Sequence, residues 1–369
     1  MRSYPKLRSV IIPCFMGVIL ALGGCAGKFG PNTVEPARFN YNQAIHRSVH
    51  EQMLINIVRH RYNEAPYFLG IGTVVSQYSL GASVGTSGSV SNAAQYTVGG
   101  TGGVNYTESP TITYRPMEDA EFAERLLLPV SPSILVMLSH SGWQLEDLMQ
   151  LCVQRINGLS NIPVANVQHP DALARYRLFE QVTQLFRELQ SYGAVGQRVQ
   201  TDENKKEPLY VLYFEQSDDP AIQERIQKAK SLLGLDPKLD VFPVKSTFSG
   251  GQASNSIALE TRSMQGIIGF LSRGVQIPPA DHDRVVHSAT VEELQADFDA
   301  IYGDVFVVRH ASQRPRDAFV AVRHRDTWFY IDDRDTRSKT TFTILLYLFS
   351  VQAIGAEKGG DILLTLPTS

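Results

Sequence analysis

Val74-Val-Ser-Gln-Tyr-Ser-Leu-Gly-Ala-Ser-Val-Gly-Thr-Ser-Gly-Ser-Val90 and Tyr96-Thr-Val-Gly-Gly-Thr-Gly-Gly-Val-Asn-Tyr-Thr-Glu-Ser-Pro-Thr-Ile-Thr-Tyr114 follow one rule of parity. Even positions carry Val74, Tyr78, Leu80, Ala82, Val84, Val90, Tyr96, Val98, Val104, Tyr106, Ile112 and Tyr114. Odd positions carry Gln77, Ser79, Ser83, Ser87, Ser89, Thr97, Thr101, Asn105, Thr107, Thr111 and Thr113. In an extended chain successive side chains point to opposite faces, so period two gives one apolar and one polar face. The alternation breaks near Ser91-Asn92-Ala93, which predicts two long antiparallel strands joined by a turn within 70–114. No Lys, Arg, Asp or Glu occurs from Val74 to Thr107. A strand facing water usually carries some charge; a lumen or a crowded interface need not.

Each arm exceeds the roughly 9–11 residues that a membrane-spanning β-strand needs. Tyr78, Leu80, Val84, Tyr96, Val98 and Tyr106 would then face lipid. Two strands cannot close a barrel. With about eight strands in the smallest barrels, at least four copies would have to combine, making the chain a homo-oligomer. That arrangement resembles oligomeric outer-membrane export channels, to which each subunit donates a few strands. The same segment also fits a glycine-rich hairpin or loop on an ordinary domain, because glycine weakens strands.

Working outward, the apolar run Val10 to Leu22 follows Arg2, Lys6 and Arg8 and ends in Leu22-Gly-Gly-Cys25. A basic start, about 13 apolar residues and small residues at the end make a secretory signal, too short for the roughly 20 of a spanning helix. The order of these parts resembles a bacterial lipoprotein lipobox. The resemblance implies cleavage between Gly24 and Cys25, acylation of Cys25, and a bilayer as partner. In that family an aspartate after the cysteine favours the inner membrane; Ala26 here implies the periplasmic face of the outer membrane. Residues 25–37, with Gly27, Gly30, Pro31 and Pro36, read as a tether.

The chain is long enough for two domains beyond the signal, residues 1–24. Its formal charge is −3, and the leader holds three basic residues and no acid, so the mature part is more acidic and offers no broad nucleic-acid surface. Of three cysteines only Cys152 lies beyond the signal and the lipid site, so no internal disulfide forms in the lipidated chain. Within Leu145-Glu-Asp-Leu-Met-Gln-Leu-Cys-Val it reads as a buried apolar residue.

Ile45, Val49, Met53 and Ile57 recur every fourth residue, predicting a helix over 40–63. Residues 118–193 read as all-helical: 118–128, 134–140, 145–156, and 171–192 with Leu178, Val182, Leu185 and Leu189 at helical spacing. The charged stretch Thr201-Asp-Glu-Asn-Lys-Lys-Glu-Pro208 reads as the domain boundary. Beyond it strands are expected at 209–214, 241–247, 305–309, 318–323, 328–331 and 362–366, and helices at 221–233, 257–273 and 340–353. The expected fold is α+β: a helical domain over 38–200 containing the hairpin 70–114, then an α+β domain over 208–369 with a small antiparallel sheet.

The motifs that would carry chemistry are incomplete. Gly81-Ala-Ser83-Val-Gly85 matches a nucleophile elbow, but that needs a strand, a sharp turn and a helix, and here alternation continues past Ser83. His46 and His50 stand four apart, a metal-compatible spacing, with no acidic third ligand at a recognisable distance. Asp332, Asp333 and Asp335 lack the glycine of a calcium loop and suit a turn and a helix cap. Arg314, Arg316 and Arg323 gather around one expected hairpin and suit lipid phosphate or cell-wall carboxylate, although Asp317 and Asp326 lie among them. No cofactor motif, paired-cysteine site or triad is present in the sequence.

Tyr41-Asn-Gln-Ala, Glu51-Gln-Met-Leu-Ile-Asn-Ile-Val-Arg, Thr261-Arg-Ser-Met-Gln-Gly and Ser338-Lys-Thr-Thr-Phe resemble blocks of uncharacterised proteobacterial outer-membrane lipoproteins. That resemblance implies location and supplies no mechanism. The expectation is an anchored lipoprotein with a non-enzymatic structural, assembly or binding role in the envelope. The alternatives are a subunit of an oligomeric outer-membrane pore built from 74–114, and an envelope hydrolase.

Overall fold

The computed structural model describes residues 31–90, 96–117, 119–161, 171–201, 208–246, 253–285 and 301–354. The signal, the cleavage pair Gly24 and Cys25, and the strand expected at 362–366 lie outside these. The fold is mixed α and β with several small sheets, divided into two compact units. One unit takes the described residues through Tyr62 with those of 271–285 and 301–346; the other takes 63–270 and 347–354.

In the first unit, α1 (Pro31–Arg61) buries Met53, Leu54, Ile57 and Val58, while Ile45 of the expected stripe is half-buried and Val49 exposed, so only the later half of that stripe packs into the core. The helix begins at Pro31, so the tether expected over 25–37 is corrected from that residue on. Proline suits the first helical turn, whose amide hydrogens have no partner within the helix. A three-stranded antiparallel sheet is formed by β9 (Arg309–Ala311), β10 (Ala318–His324) and β11 (Thr327–Asp332), with β11 in the middle. The strand expected at 305–309 is displaced: residues 301–305 are helical, Val308 makes an isolated parallel bridge with Val275, and the sheet strand starts at Arg309. Asp335 caps the helix Thr336–Ile354, its carboxylate accepting from the Ser338 amide at 3.0 Å and hydroxyl at 2.7 Å.

The second unit is built on a six-stranded sheet. Its strands are β3 (Val153–Ile156), β4 (Leu159–Ser160), β5 (Val195–Thr201), β6 (Pro208–Phe214), β7 (Val241–Ser246) and β8 (Ile257–Thr261), in the order β4-β3-β8-β7-β6-β5. Only β7 and β8 run parallel. This sheet corrects three expectations. Thr201 pairs with Pro208, so the charged stretch between them joins two neighbouring strands and the expected boundary falls inside the sheet. The helix expected over 145–156 stops at Cys152 because Val153 pairs with Thr261. The helix expected over 257–273 divides into β8 and the helix Met264–Ser272 for the same reason. A region read as wholly helical thus supplies strands to a sheet shared with the later half, because pairing between distant segments overrides local apolar spacing.

The remaining helices of this unit are α2 (Ala120–Leu127), α3 (Pro132–His140), α4 (Leu145–Cys152), α5 (Ala172–Ser191) and α6 (Pro220–Leu232). α5 buries Tyr176, Phe179, Val182, Phe186 and Leu189 and leaves Leu178 exposed. Its buried stripe therefore runs through the aromatic residues rather than through Leu178. Arg262, almost fully buried, donates to the carbonyls of Gln150 (3.0 Å) and Leu151 (2.9 Å) in the last turn of α4 and stacks over Phe270. Asn161 Nδ2 adds bonds to the carbonyls of Gln150 and Val153, both 2.8 Å. The carbonyls at the helix-to-strand change at Cys152 thereby find partners within the protein, as buried backbone requires.

Candidate functional site

The two parity-ordered arms form strands β1 (Leu69–Val90) and β2 (Tyr96–Pro116), paired antiparallel with each other. From Val74 to Val90 the register sets even against even: Val74 faces Ile112, Leu80 faces Tyr106, Ala82 faces Val104, Val84 faces Gly102, and Val90 faces Tyr96. Odd positions meet likewise: Gln77 with Ser109, Ser79 with Thr107, Gly85 with Thr101, and Ser89 with Thr97. Directly opposed residues share a face, so the apolar sets of both strands fall on one side of the ribbon and the uncharged polar sets on the other. A register shift between Ile71 and Val74 sits at the base.

At about 3.3 Å per residue, strands of 22 and 21 residues run roughly 70 Å. Neither pairs with any third strand among the described residues, so both outer edges carry backbone groups without a ladder partner. An isolated two-stranded ribbon is marginally stable in water, and a long free edge invites pairing with another chain. Tyr78, Leu80, Val84, Tyr96, Val98 and Tyr106 all occupy even positions of this register. The strands contain two charged residues, Glu108 at an even position and Arg115 at an odd one. Sequence reading left Arg115 out, although the parity rule carried one step past Tyr114 reaches it.

Ser83 lies in mid-strand, exposed, its hydroxyl donating to the Gly103 carbonyl at 3.4 Å, which is no nucleophile elbow. Cys152 is fully buried, and burial pushes its thiol up to about 12, opposite to what a nucleophile needs. The rings of His46 and His50 are 4.0 Å apart, and His50 also packs on Phe319 and Phe342. Burial, with His46 alongside, holds His50 down at about 4. No cluster of three or more His, Cys, Asp or Glu able to hold a metal occurs among the described residues. The second unit holds a cavity of about 30 Å³ lined by Leu148, Val153, Phe186, Leu212 and Ile257, far below the roughly 300 Å³ of small-molecule sites.

The arginines singled out from the sequence lie in the first unit, and two of them have acidic neighbours. Arg314 stands 3.8 Å from Glu51 and over the Trp328 ring, and Arg323 stands 3.2 Å from Asp326. Arg316 is exposed and forms no ion pair among the described residues. A separate cluster, with Tyr62 and Asp281 buried and two arginines exposed over them, closes the end of α1. The Tyr62 hydroxyl donates to Asp281 at 2.9 Å, Asp281 pairs with Arg284 at 2.9 Å, and Arg325 lies over the Tyr62 ring. Burial and the bond to Asp281 raise the Tyr62 phenol well above its ordinary value. These partners satisfy one another, as a structural clamp does.

No helix among the described residues is long and apolar enough to cross a membrane. Neither protein-family models, nor curated proteins, nor solved structures yield a match to this chain.

Proposed function

We propose that this chain is a lipid-anchored outer-membrane protein with an assembly role, and that the ribbon β1–β2 is the element that assembles. The observation that carries the reading is the register: both apolar sets on one face, both uncharged polar sets on the other, and two long edges without a strand partner among the described residues. In lipid every backbone group must be paired within protein, so a spanning ribbon has to close edge to edge with copies of itself. At least four ribbons would make the smallest barrel, with the even face toward lipid and the odd face lining a passage. Acylation at Cys25 would hold the copies at one bilayer, raising their local concentration and easing closure. Two acyl chains suffice for stable anchoring, each buried methylene contributing about 0.8 kcal/mol.

The test is a pair of neighbouring substitutions in the full-length lipoprotein, extracted in mild detergent. Val84→Arg, at an even position, should cost about 2–4 kcal/mol per copy at the membrane midplane and break the ring. Ser83→Arg, at the adjacent odd position, should leave the ring intact. A monomeric wild type, or equal effects of the two changes, rejects the assembly. Separately, labelling of cells with a tagged fatty acid tests the anchor: incorporation into a Cys25→Ser variant equal to that of the wild type rejects acylation at Cys25.

A further inference from the structure

Arg115 is the one charged residue at an odd position of the two strands. It shares the polar face with Thr113, Thr111, Thr107 and Asn105, and pairs with Gly70 at the base of the ribbon. Its side chain is exposed, and no ion pair involving it occurs among the described residues. The guanidinium arm lies across the neighbouring strand: Nε is 3.4 Å from the point where a Cβ on Gly72 would stand. The arm therefore lies beside Gly72 of β1 at ordinary contact distance. The other charge, Glu108, falls on the opposite face, opposite Tyr78, and does not neutralise it there.

We propose that Arg115 sets the charge preference of the passage and makes it favour small anions. This rests on the assembly reading above. In a closed ring each copy contributes one Arg115 at the same height, near the mouth closest to the body. Arginine stays protonated at any working pH, and rings of arginine or lysine are how pores select anions. A low-dielectric wall focuses the field of such a ring, and no other charge on that face offsets it.

The experiment inserts the detergent-extracted, full-length lipoprotein into planar bilayers and reads the reversal potential under a potassium chloride gradient. The wild type should favour chloride over potassium. Arg115→Gln should remove most of that preference, Arg115→Lys should keep it, and Arg115→Glu should change the sign of the reversal potential. A conducting ring whose reversal potential ignores Gln and Glu at 115, or a cation-selective wild type, overturns the role of Arg115 and leaves the assembly standing. A protein that stays monomeric and never conducts overturns both.

Discussion

The Phe68 ring stacks on the Phe349 ring, with centroids 4.7 Å apart and planes 30° from parallel. Phe122 meets both edge-on, at 5.9 and 6.2 Å, and the Met117 amide donates to the Phe68 carbonyl at 3.0 Å. The residue that precedes β1 and the one that follows β2 are therefore fixed to the end of the C-terminal helix by three aromatic rings. Phe68 is almost fully buried, so Phe68→Ala should cost about 3–5 kcal/mol. Urea unfolding of the purified protein measures this, and a loss under about 1 kcal/mol would show the base to be held by something else.

Arg262→Met should lower stability by about 2 kcal/mol. The Leu151 carbonyl in the last turn of α4 would lose its guanidinium donor in a dry setting, and such an unsatisfied group costs about 1–3 kcal/mol. Arg262→Lys should recover only part of the loss, because an ammonium lacks the planar fork that reaches two carbonyls while stacking on Phe270. Equal stability of the two variants, by the same unfolding measurement, counts against this geometry.

His50 makes the first unit acid-sensitive. Unfolded, it titrates near 6.5; folded, near 4, so between these values the unfolded chain binds more protons. Stability should therefore fall as the pH is lowered from about 6.5 through about 4. His50→Phe keeps the packing on Phe319 and Phe342 without the titration. Urea midpoints compared at pH 7 and pH 5 should differ less in this variant than in the wild type; an unchanged difference assigns the acid sensitivity elsewhere.

Arg314 and Arg323 already have acidic neighbours, so contact with lipid phosphate should depend most on Arg316. Arg316→Glu should weaken co-sedimentation of the unacylated Cys25→Ser protein with anionic vesicles at low salt, and the difference should vanish near 1 M salt. Retention that is indifferent to both the substitution and the salt would remove this patch as a phosphate contact.

The elements legible in the sequence are those whose cause is local. The helix expected at 221–233 is α6, whose first residue is Pro220 and whose start is capped by the Asp219 carboxylate accepting from the Ala221 amide at 2.8 Å. Asp335 was legible as a cap for the same reason. The changes at Cys152–Val153 and at Ile257–Thr261 have no local marker: both segments are apolar enough for a helix, and each becomes a strand because of the other. The charged stretch between Thr201 and Pro208 has the composition of a linker and the length of a connection between paired strands, and only the pairing of Thr201 with Pro208 distinguishes these. At the candidate site, parity identified the faces of the ribbon. The partners of Arg314 and the exposed arm of Arg115 beside Gly72 depend on segments that composition alone does not bring together.

Pro31 opens α1 only six residues after Cys25. At no more than about 3.6 Å per residue, an acylated Cys25 would keep the first turn within about 22 Å of the lipid. A flexible strap reaching residue 37 would have allowed roughly twice that slack. From there the chain continues as 31 helical residues, a stiff rod of about 46 Å. A sideways pull on the body would then arrive at the anchor as torque on a lever rather than being absorbed in a loose cord.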